Sequence, residues 1–389
     1  VAVEWIWLIF IFALGACIGS FLNVVIYRLP REKSLVSPPS ACPTCEKPIP
    51  FYDNIPLFSW LILRGKCRKC RAPISIRYFI VELVTAVLFG GLYLWFFWFQ
   101  LRNTEIAGLS PMQRFFDGAG WLFYLVIITM TAAFLAASAI DLELWIIPIE
   151  ICWSVAVIGI AGAATAPFFI TPAALVEGAL FPSAAGSPRW AGVVTGATAG
   201  LIISLILQKI GIIKPSYEME QDEEGDCDQT EHNFNDRMEI LKEVIFLLPV
   251  IVGGIIGFRL VQTQLISAKW DTVYNVPVIA GIIGALGGYL AGCAVVWITR
   301  IFGTLAFGKE AMGLGDVHLM GAAGAVIGAK WVVLAFFVAP FFGIAWALYQ
   351  AIFKKMHQIP YGPFLSLAVF AVIICQDWIK WVLSNFYGF

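Results

Sequence analysis

Lys309-Glu310-Ala311-Met312-Gly313-Leu314-Gly315-Asp316-Val317-His318-Leu319-Met320 separates two strongly apolar segments and sets a carboxylate directly after two near-adjacent glycines. An ionisable group at membrane depth is expensive unless it faces water or partner groups, so such a residue points to function. The glycines permit close packing and unusual dihedrals, which lets Asp316 begin a helix that faces a cavity. The competing reading is an interfacial N-cap for the next helix. The rest of the chain decides between them.

Of the 389 residues, 60% are hydrophobic and only 13% charged, with 15 Trp and 31 Phe. Soluble domains carry about 25% charged residues, so the composition implies an all-α polytopic membrane protein embedded in a lipid bilayer. A formal net charge of −1 gives no reason to expect a nucleic-acid partner. The first apolar stretch carries Glu4 and no basic flank, unlike a cleaved signal peptide.

Hydropathy divides the chain into about eight to ten membrane segments. The first is 5–27, with small packing residues Gly15, Gly19 and Ser20, so 1–27 reads as the first transmembrane helix. Residues 28–77 hold ten Lys/Arg against three Asp/Glu, which places this module in the cytoplasm by the positive-inside rule. Spans at 79–99, 121–140 and 149–164 follow, and Asp141 ends the second of these. A carboxylate at a helix C-terminus opposes the helix dipole, so capping does not explain it. Residues 166–275 read as an extra pair of membrane helices around an acidic loop, and 276–389 as the helices that carry Asp316. On this path Asp141 and Asp316 share the cytoplasmic boundary. The stretch after Asp316 is short and reads as either a crossing or a re-entrant segment. Ala191-Gly192-Val193-Val194 resembles Ala280-Gly281-Ile282-Ile283, which is either a weak internal repeat or shared packing glycines.

Within the basic module, Cys42-Pro43-Thr44-Cys45 and Cys67-Arg68-Lys69-Cys70 form C-x2-C-x21-C-x2-C. Two such knuckles can turn four thiolates toward one tetrahedral zinc, and four thiolates leave no open position for catalysis. The expected metal ligands are therefore Cys42, Cys45, Cys67 and Cys70 in a small zinc-ribbon-like module with structural zinc. Residues 214–243 contain eleven of the 26 acidic residues and read as a solvated loop, with a short helix near 236–243. Single Cys227 and His232 make no metal site there.

Two carboxylates on separate helices at one membrane depth are the minimum equipment of an aspartic protease. One takes a proton from water while the other, protonated, polarises the scissile carbonyl; close apposition favours that division. The sequence holds no GxSxG, HExxH, Walker A loop or dinucleotide fingerprint to compete.

The chain also resembles the bifunctional prepilin peptidases of type IV pilus and type II secretion systems. The resemblance rests on 19–30, the CPxC pair, Asp53-Asn54-Ile55-Pro56, Leu57-Phe58-Ser59-Trp60, Arg64-Gly65-Lys66-Cys67-Arg68 and Ile74-Ser75-Ile76-Arg77-Tyr78. It continues through Asp141 with Pro148, Glu310 to Asp316, and Ile359-Pro360-Tyr361-Gly362-Pro363-Phe364. It implies a GxGD-type intramembrane aspartic endopeptidase in the bacterial inner membrane, with Asp141 and Asp316 as its catalytic pair facing the cytoplasm. It implies as well that prepilins or pseudopilins lose a basic leader after a glycine. The cytoplasmic module 28–78 is then expected to take part in methylating the exposed amine, with S-adenosylmethionine as methyl donor.

The chain departs from that family's pattern in three places. His318 stands where Lys is common, the carboxylate after Pro148 is displaced to Glu150, and 166–275 is extra to the compact pattern. Glu143, two after Asp141, falls where the family often has a second acidic residue. Alternatives are a peptidase without methylation, a transporter with two carboxylate proton sites, and a zinc-ribbon scaffold. Transporters place such groups near the midplane, whereas both carboxylates here read as lying at one face.

Overall fold

A computed structural model describes residues 2–99, 120–169, 187–214, 216, 236–308, 310–353 and 360–387. In chain order the helices are α1 (Ala2–Arg28), α2 (Phe58–Ile62), α3 (Ile76–Tyr93), α4 (Gly120–Leu144), α5 (Ile149–Phe169) and α6 (Pro188–Lys209). They continue as α7 (Asp236–Val261), α8 (Gln264–Tyr274), α9 (Pro277–Phe307), α10 (Leu314–Ile327), α11 (Ala329–Phe353) and α12 (Gly362–Tyr387). Among the described residues eight helices are long and apolar enough to cross a membrane. Strand-like pairing there is confined to two isolated bridges, Ala41–Pro48 and Lys66–Pro73. The all-α polytopic fold expected from composition is the one observed. Helix α8 was not legible as an element, and Trp270 Nε1 fastens it to the carbonyl of Pro188, 2.9 Å away. Lys309, the basic pair Lys354-Lys355 and the centre of the acidic stretch, with Cys227 and His232, lie outside the described residues.

The chain divides into two units. One takes the N-terminal part through Ile158 and the part from Phe337 onward; the other takes Gly159–Phe168 and the part through Phe336.

In the first unit α1 and α3 pack backbone to backbone. A Cβ on Gly15 would stand 2.8 Å from the Cα of Ala86, so only glycine permits this approach. Asn23, buried in α1, donates from Nδ2 to the carbonyl of Tyr78 at 3.1 Å and pins the cytoplasm-predicted end of the pair. Tyr124 of α4 donates to the carbonyl of Phe89 at 2.7 Å, tying α4 to α3.

In the second unit α6 and α7 meet along glycines, and a Cβ on Gly196 would overlap the carbonyl of Gly253. The glycines of α9 serve other partners: Gly288 meets Gly324 of α10, and Gly281 meets Ala163 of α5. The likeness of the Ala191 and Ala280 stretches is therefore one of packing glycines used against different helices. Helix α10 has 14 residues, about 21 Å at 1.5 Å per residue, against a hydrocarbon thickness of about 30 Å. Val317 and the run Leu319 to Ile327 are buried. It is a short, enclosed segment and not a full crossing, which favours the re-entrant reading.

The helix expected near 236–243, at the end of the acidic stretch, is present as the start of the longer α7, and Glu239 and Glu243 are buried there. An acidic composition alone reads as solvated; two of these carboxylates are instead paired inside the second unit, Glu239 with Lys242 and Glu243 with Arg300.

Candidate active site and metal centre

The module between α1 and α3 is built from two matching knuckles. In the first, the Glu46 N–H donates to the Cys42 carbonyl at 2.8 Å and the Cys42 N–H donates to Lys47 O at 3.1 Å. In the second, the Arg71 N–H donates to the Cys67 carbonyl and the Cys67 N–H to Ala72 O, both at 2.9 Å. The residue four after each leading cysteine, Glu46 or Arg71, has a left-handed φ of 54° or 59° that closes the turn. The four Sγ atoms all lie within 4.8 Å of one another, and Cys42 Sγ is 3.7 Å from Cys70 Sγ. Zn–S bonds of about 2.3 Å in a tetrahedron require S···S separations near 3.8 Å, so the donor set fits zinc. Backbone N–H groups of Cys45 and then Thr44 aimed at the sulfur bring the Cys42 thiol down to about 6, and those of Cys70 and Lys69 lower Cys67. Those donors favour the thiolate, the form that binds metal.

Contacts within the module brace it, and one polar contact ties it to α3. Asp53 takes Arg68 in a forked bridge, with Nε 2.8 and 2.9 Å from the two carboxylate oxygens and Nη2 at 2.6 Å. Trp60 covers Gly65, whose φ is +66° and whose added Cβ would meet the indole at 2.9 Å. Leu57 holds φ +63°, a strained value for a branched side chain. Its N–H donates to the buried carboxylate of Glu82 at 2.8 Å, so a charged acceptor on α3 holds the Asn54-Ile55-Pro56-Leu57 turn in place.

Asp141 lies in the last turn of α4 and is 6% exposed. Its own helix dipole disfavours it there, but the N-terminus of α12 meets it: the Gly362 N–H donates to Asp141 Oδ2 at 3.0 Å. A Cβ on Gly362 would stand 2.7 Å from that oxygen and 2.9 Å from Ile147 Cδ1. Gly362 is thus a site residue that sequence reading missed, although it sits in the Tyr361-Gly362-Pro363-Phe364 motif. Gly362→Ala is expected to insert and fold while displacing the Asp141 carboxylate. Leader cleavage should fall by on the order of 100-fold, the cost of an ångström-scale misplacement, read as a single-turnover rate. Glu143, two residues on, is ion-paired with Arg77 at the start of α3. Glu150 is exposed at the start of α5.

Asp316 is the third residue of α10, 8% exposed, and Gly313 occupies the N-cap. The N-cap reading of Asp316 is therefore set aside. The expectation of unusual dihedrals also fails, because Gly313 has φ −72° and ψ 152°, open to any residue. A Cβ there would stand 3.8 Å from Asp316 Oδ2, in ordinary van der Waals contact with the carboxylate. His318 Nδ1 lies 3.4 Å from the Tyr289 hydroxyl of α9, so this departure from Lys is accommodated by a neutral contact within the second unit. The four cysteines are brought together; Asp141 and Asp316 belong to different units, each set in its own surroundings.

A helical, multi-pass membrane protein with a four-thiol module and two buried carboxylates at helix ends is the class these observations define. A profile described as the bacterial peptidase A24 N-terminal domain matches residues 13–96, and one described as the type IV leader peptidase family matches 237–348. The chain is similar to a prepilin leader peptidase/N-methyltransferase of Aeromonas hydrophila, 26% identical over 411 aligned positions that cover 98% of this chain and 96% of the relative. It is also similar to proteins of that name from Myxococcus xanthus, 42% identical over 143 residues, and Vibrio cholerae, 49% identical over 88 residues. The Myxococcus match spans 36% of each chain; the Vibrio match spans 21% of this chain and 35% of the relative. No solved structure matches the chain. The chain belongs to the type IV leader peptidase family. The second match begins inside the stretch set apart from sequence as an insert, and Asp141 falls between the two matched regions.

Proposed function

We propose that this protein cleaves the basic leader from prepilin-like substrates and methylates the new N-terminus, with Asp141 and Asp316 as the catalytic carboxylates. The observation that carries the reading is the setting of Asp316: a nearly buried carboxylate in the first turn of a short enclosed helix that Gly313 caps, in a chain of this family. An ionised Asp takes a proton from water, and the water oxygen attacks the scissile carbonyl. The other, protonated Asp gives its proton to the carbonyl oxygen, and collapse expels the amine with a proton from the first. The chemistry needs both carboxylates at the cytoplasmic face, where a basic leader remains after insertion of the substrate.

The freed α-amine has an ordinary pKa of about 7.7–8.0, so a useful fraction is neutral at cytoplasmic pH. S-adenosylmethionine, the methyl donor that the resemblance implies, would supply the methyl group to that amine. Cys42, Cys45, Cys67 and Cys70 would hold zinc, which cross-links the module and supplies no reacting group.

Mass spectrometry of a prepilin co-expressed with this protein tests the reading. The expected product ends its leader at glycine and carries one extra methyl on the new N-terminus. An uncut prepilin, in cells where the protein is inserted, would contradict it. Removal of 218–235 alone, which spares Glu239 and Glu243, is expected to leave single-turnover cleavage within about twofold of wild type. Exposed charges more than about 10 Å from substrate are largely screened at 0.1 M salt, so any weakening of apparent affinity should vanish at high salt.

A further inference from the structure

Three consecutive residues of the loop before α10 are tied to one face of α9. Arg300 Nη1 donates to the Glu310 carboxylate at 2.5 Å, and also to the Met312 carbonyl. Between them the Ala311 N–H donates to Thr304 Oγ1 at 3.3 Å. Arg300 and Thr304 stand one helical turn apart, 1% and 2% exposed. Gly303 lets the loop lie this close, because a Cβ there would stand 2.5 Å from Ala311 Cβ. Behind the loop, Arg300 Nε donates to Glu243 Oε1 at 2.7 Å. The other oxygen of Glu243 accepts from Trp297 Nε1 at 3.1 Å, and Ser216 Oγ donates to Oε1 at 3.2 Å. A guanidinium in this setting is held in one orientation, since its planar fork is matched on two sides.

The geometry points to Arg300 as the positioning residue for Asp316: through Glu310 and the Met312 carbonyl it sets where α10 begins, and Glu243 fixes Arg300 in turn. The inference rests on the reading of Asp316 as catalytic. A buried guanidinium whose purpose was only to stabilise the helices has no need of a loop that ends four residues before the carboxylate. The loop's own backbone does not impose its path, because Gly313 adopts an ordinary extended conformation. The acidic stretch thus contributes one carboxylate, Glu243, to the support of the site, which its composition did not suggest.

The test uses the full chain reconstituted in bilayers, with a prepilin peptide bearing a Lys/Arg-rich leader that ends in Gly-Phe. Arg300→Lys keeps the charge but cannot reach Glu243, Glu310 and the Met312 carbonyl together. Single-turnover cleavage should fall on the order of 100-fold with KM within about twofold, while methylation of a pre-cleaved peptide stays at the wild-type rate. If Arg300 were merely structural, membrane yield, methylation and cleavage would fall in proportion, and that result overturns the proposal. So does cleavage within about twofold of wild type. Should Arg300→Lys fail to insert, Glu243→Gln replaces it: the same kcat loss in smaller measure supports the proposal and wild-type turnover overturns it. Asp316→Asn is run in parallel. If it still cleaves, the catalytic reading fails; if it is inactive while Arg300→Lys is fully active, only the positioning role fails.

Discussion

Serine at Cys42 or Cys67 is expected to strip one zinc per chain from the protein, unfold the module between α1 and α3, and abolish methylation. The four sulfurs lie within 4.8 Å of one another, with Cys42 Sγ 3.7 Å from Cys70 Sγ. Apart from two isolated bridges, α2 and two single 3-10 turns, little regular structure holds the module's described residues together. Metal binding therefore contributes directly to its folding; structural zinc in small domains is worth about 10–16 kcal/mol at neutral pH. Cleavage should fall far less, because Asp141 is held by α12 and Asp316 by α10, neither of which belongs to the module. Elemental analysis of protein purified without chelator, with thiols kept reduced, should give one zinc per wild-type chain and none in either variant. A wild-type protein with no stoichiometric metal and a folded module would contradict this account.

Asp141→Asn and Asp316→Asn are each expected to lower the cleavage rate by at least about 10²–10⁴-fold, the contribution of a positioned acid or base. Asn keeps the size and much of the hydrogen bonding, so the helices should insert unchanged; in Asp141→Asn the side-chain amide oxygen would still accept from the Gly362 N–H. What is lost is the ability to take or give a proton. Methylation of a pre-cleaved peptide should persist in both variants, which separates loss of chemistry from loss of fold. Substantial turnover by either variant removes that residue from the catalytic role.

The spans, the four-cysteine cluster and the position of each aspartate at a helix end were legible because each is written locally. A run of apolar residues, a CxxC pair or a carboxylate beside glycines needs no knowledge of the partner. The supports of those residues were not, because they come from far along the chain. Gly362 reaches Asp141 across 221 positions, and Glu243 reaches Arg300 across 57. The glycines of the Asp316 loop were read for close packing and unusual dihedrals, whereas Gly313 holds the helix N-cap in an ordinary extended conformation. Composition misled at the end of the acidic stretch for a related reason, since Glu239 and Glu243 look solvated until Lys242 and Arg300 are placed beside them.

Asp141 and Asp316 are proposed to be needed together for a single chemical step. Groups that act together are grossly non-additive, so removing the second after the first costs little more. Single-turnover cleavage of the same prepilin by wild type, Asp141→Asn, Asp316→Asn and the double variant tests this most directly. Both single variants should lose nearly all activity, and the double variant should be no worse than either. Independent losses that multiply in the double variant, or a single variant within tenfold of wild type, would contradict it.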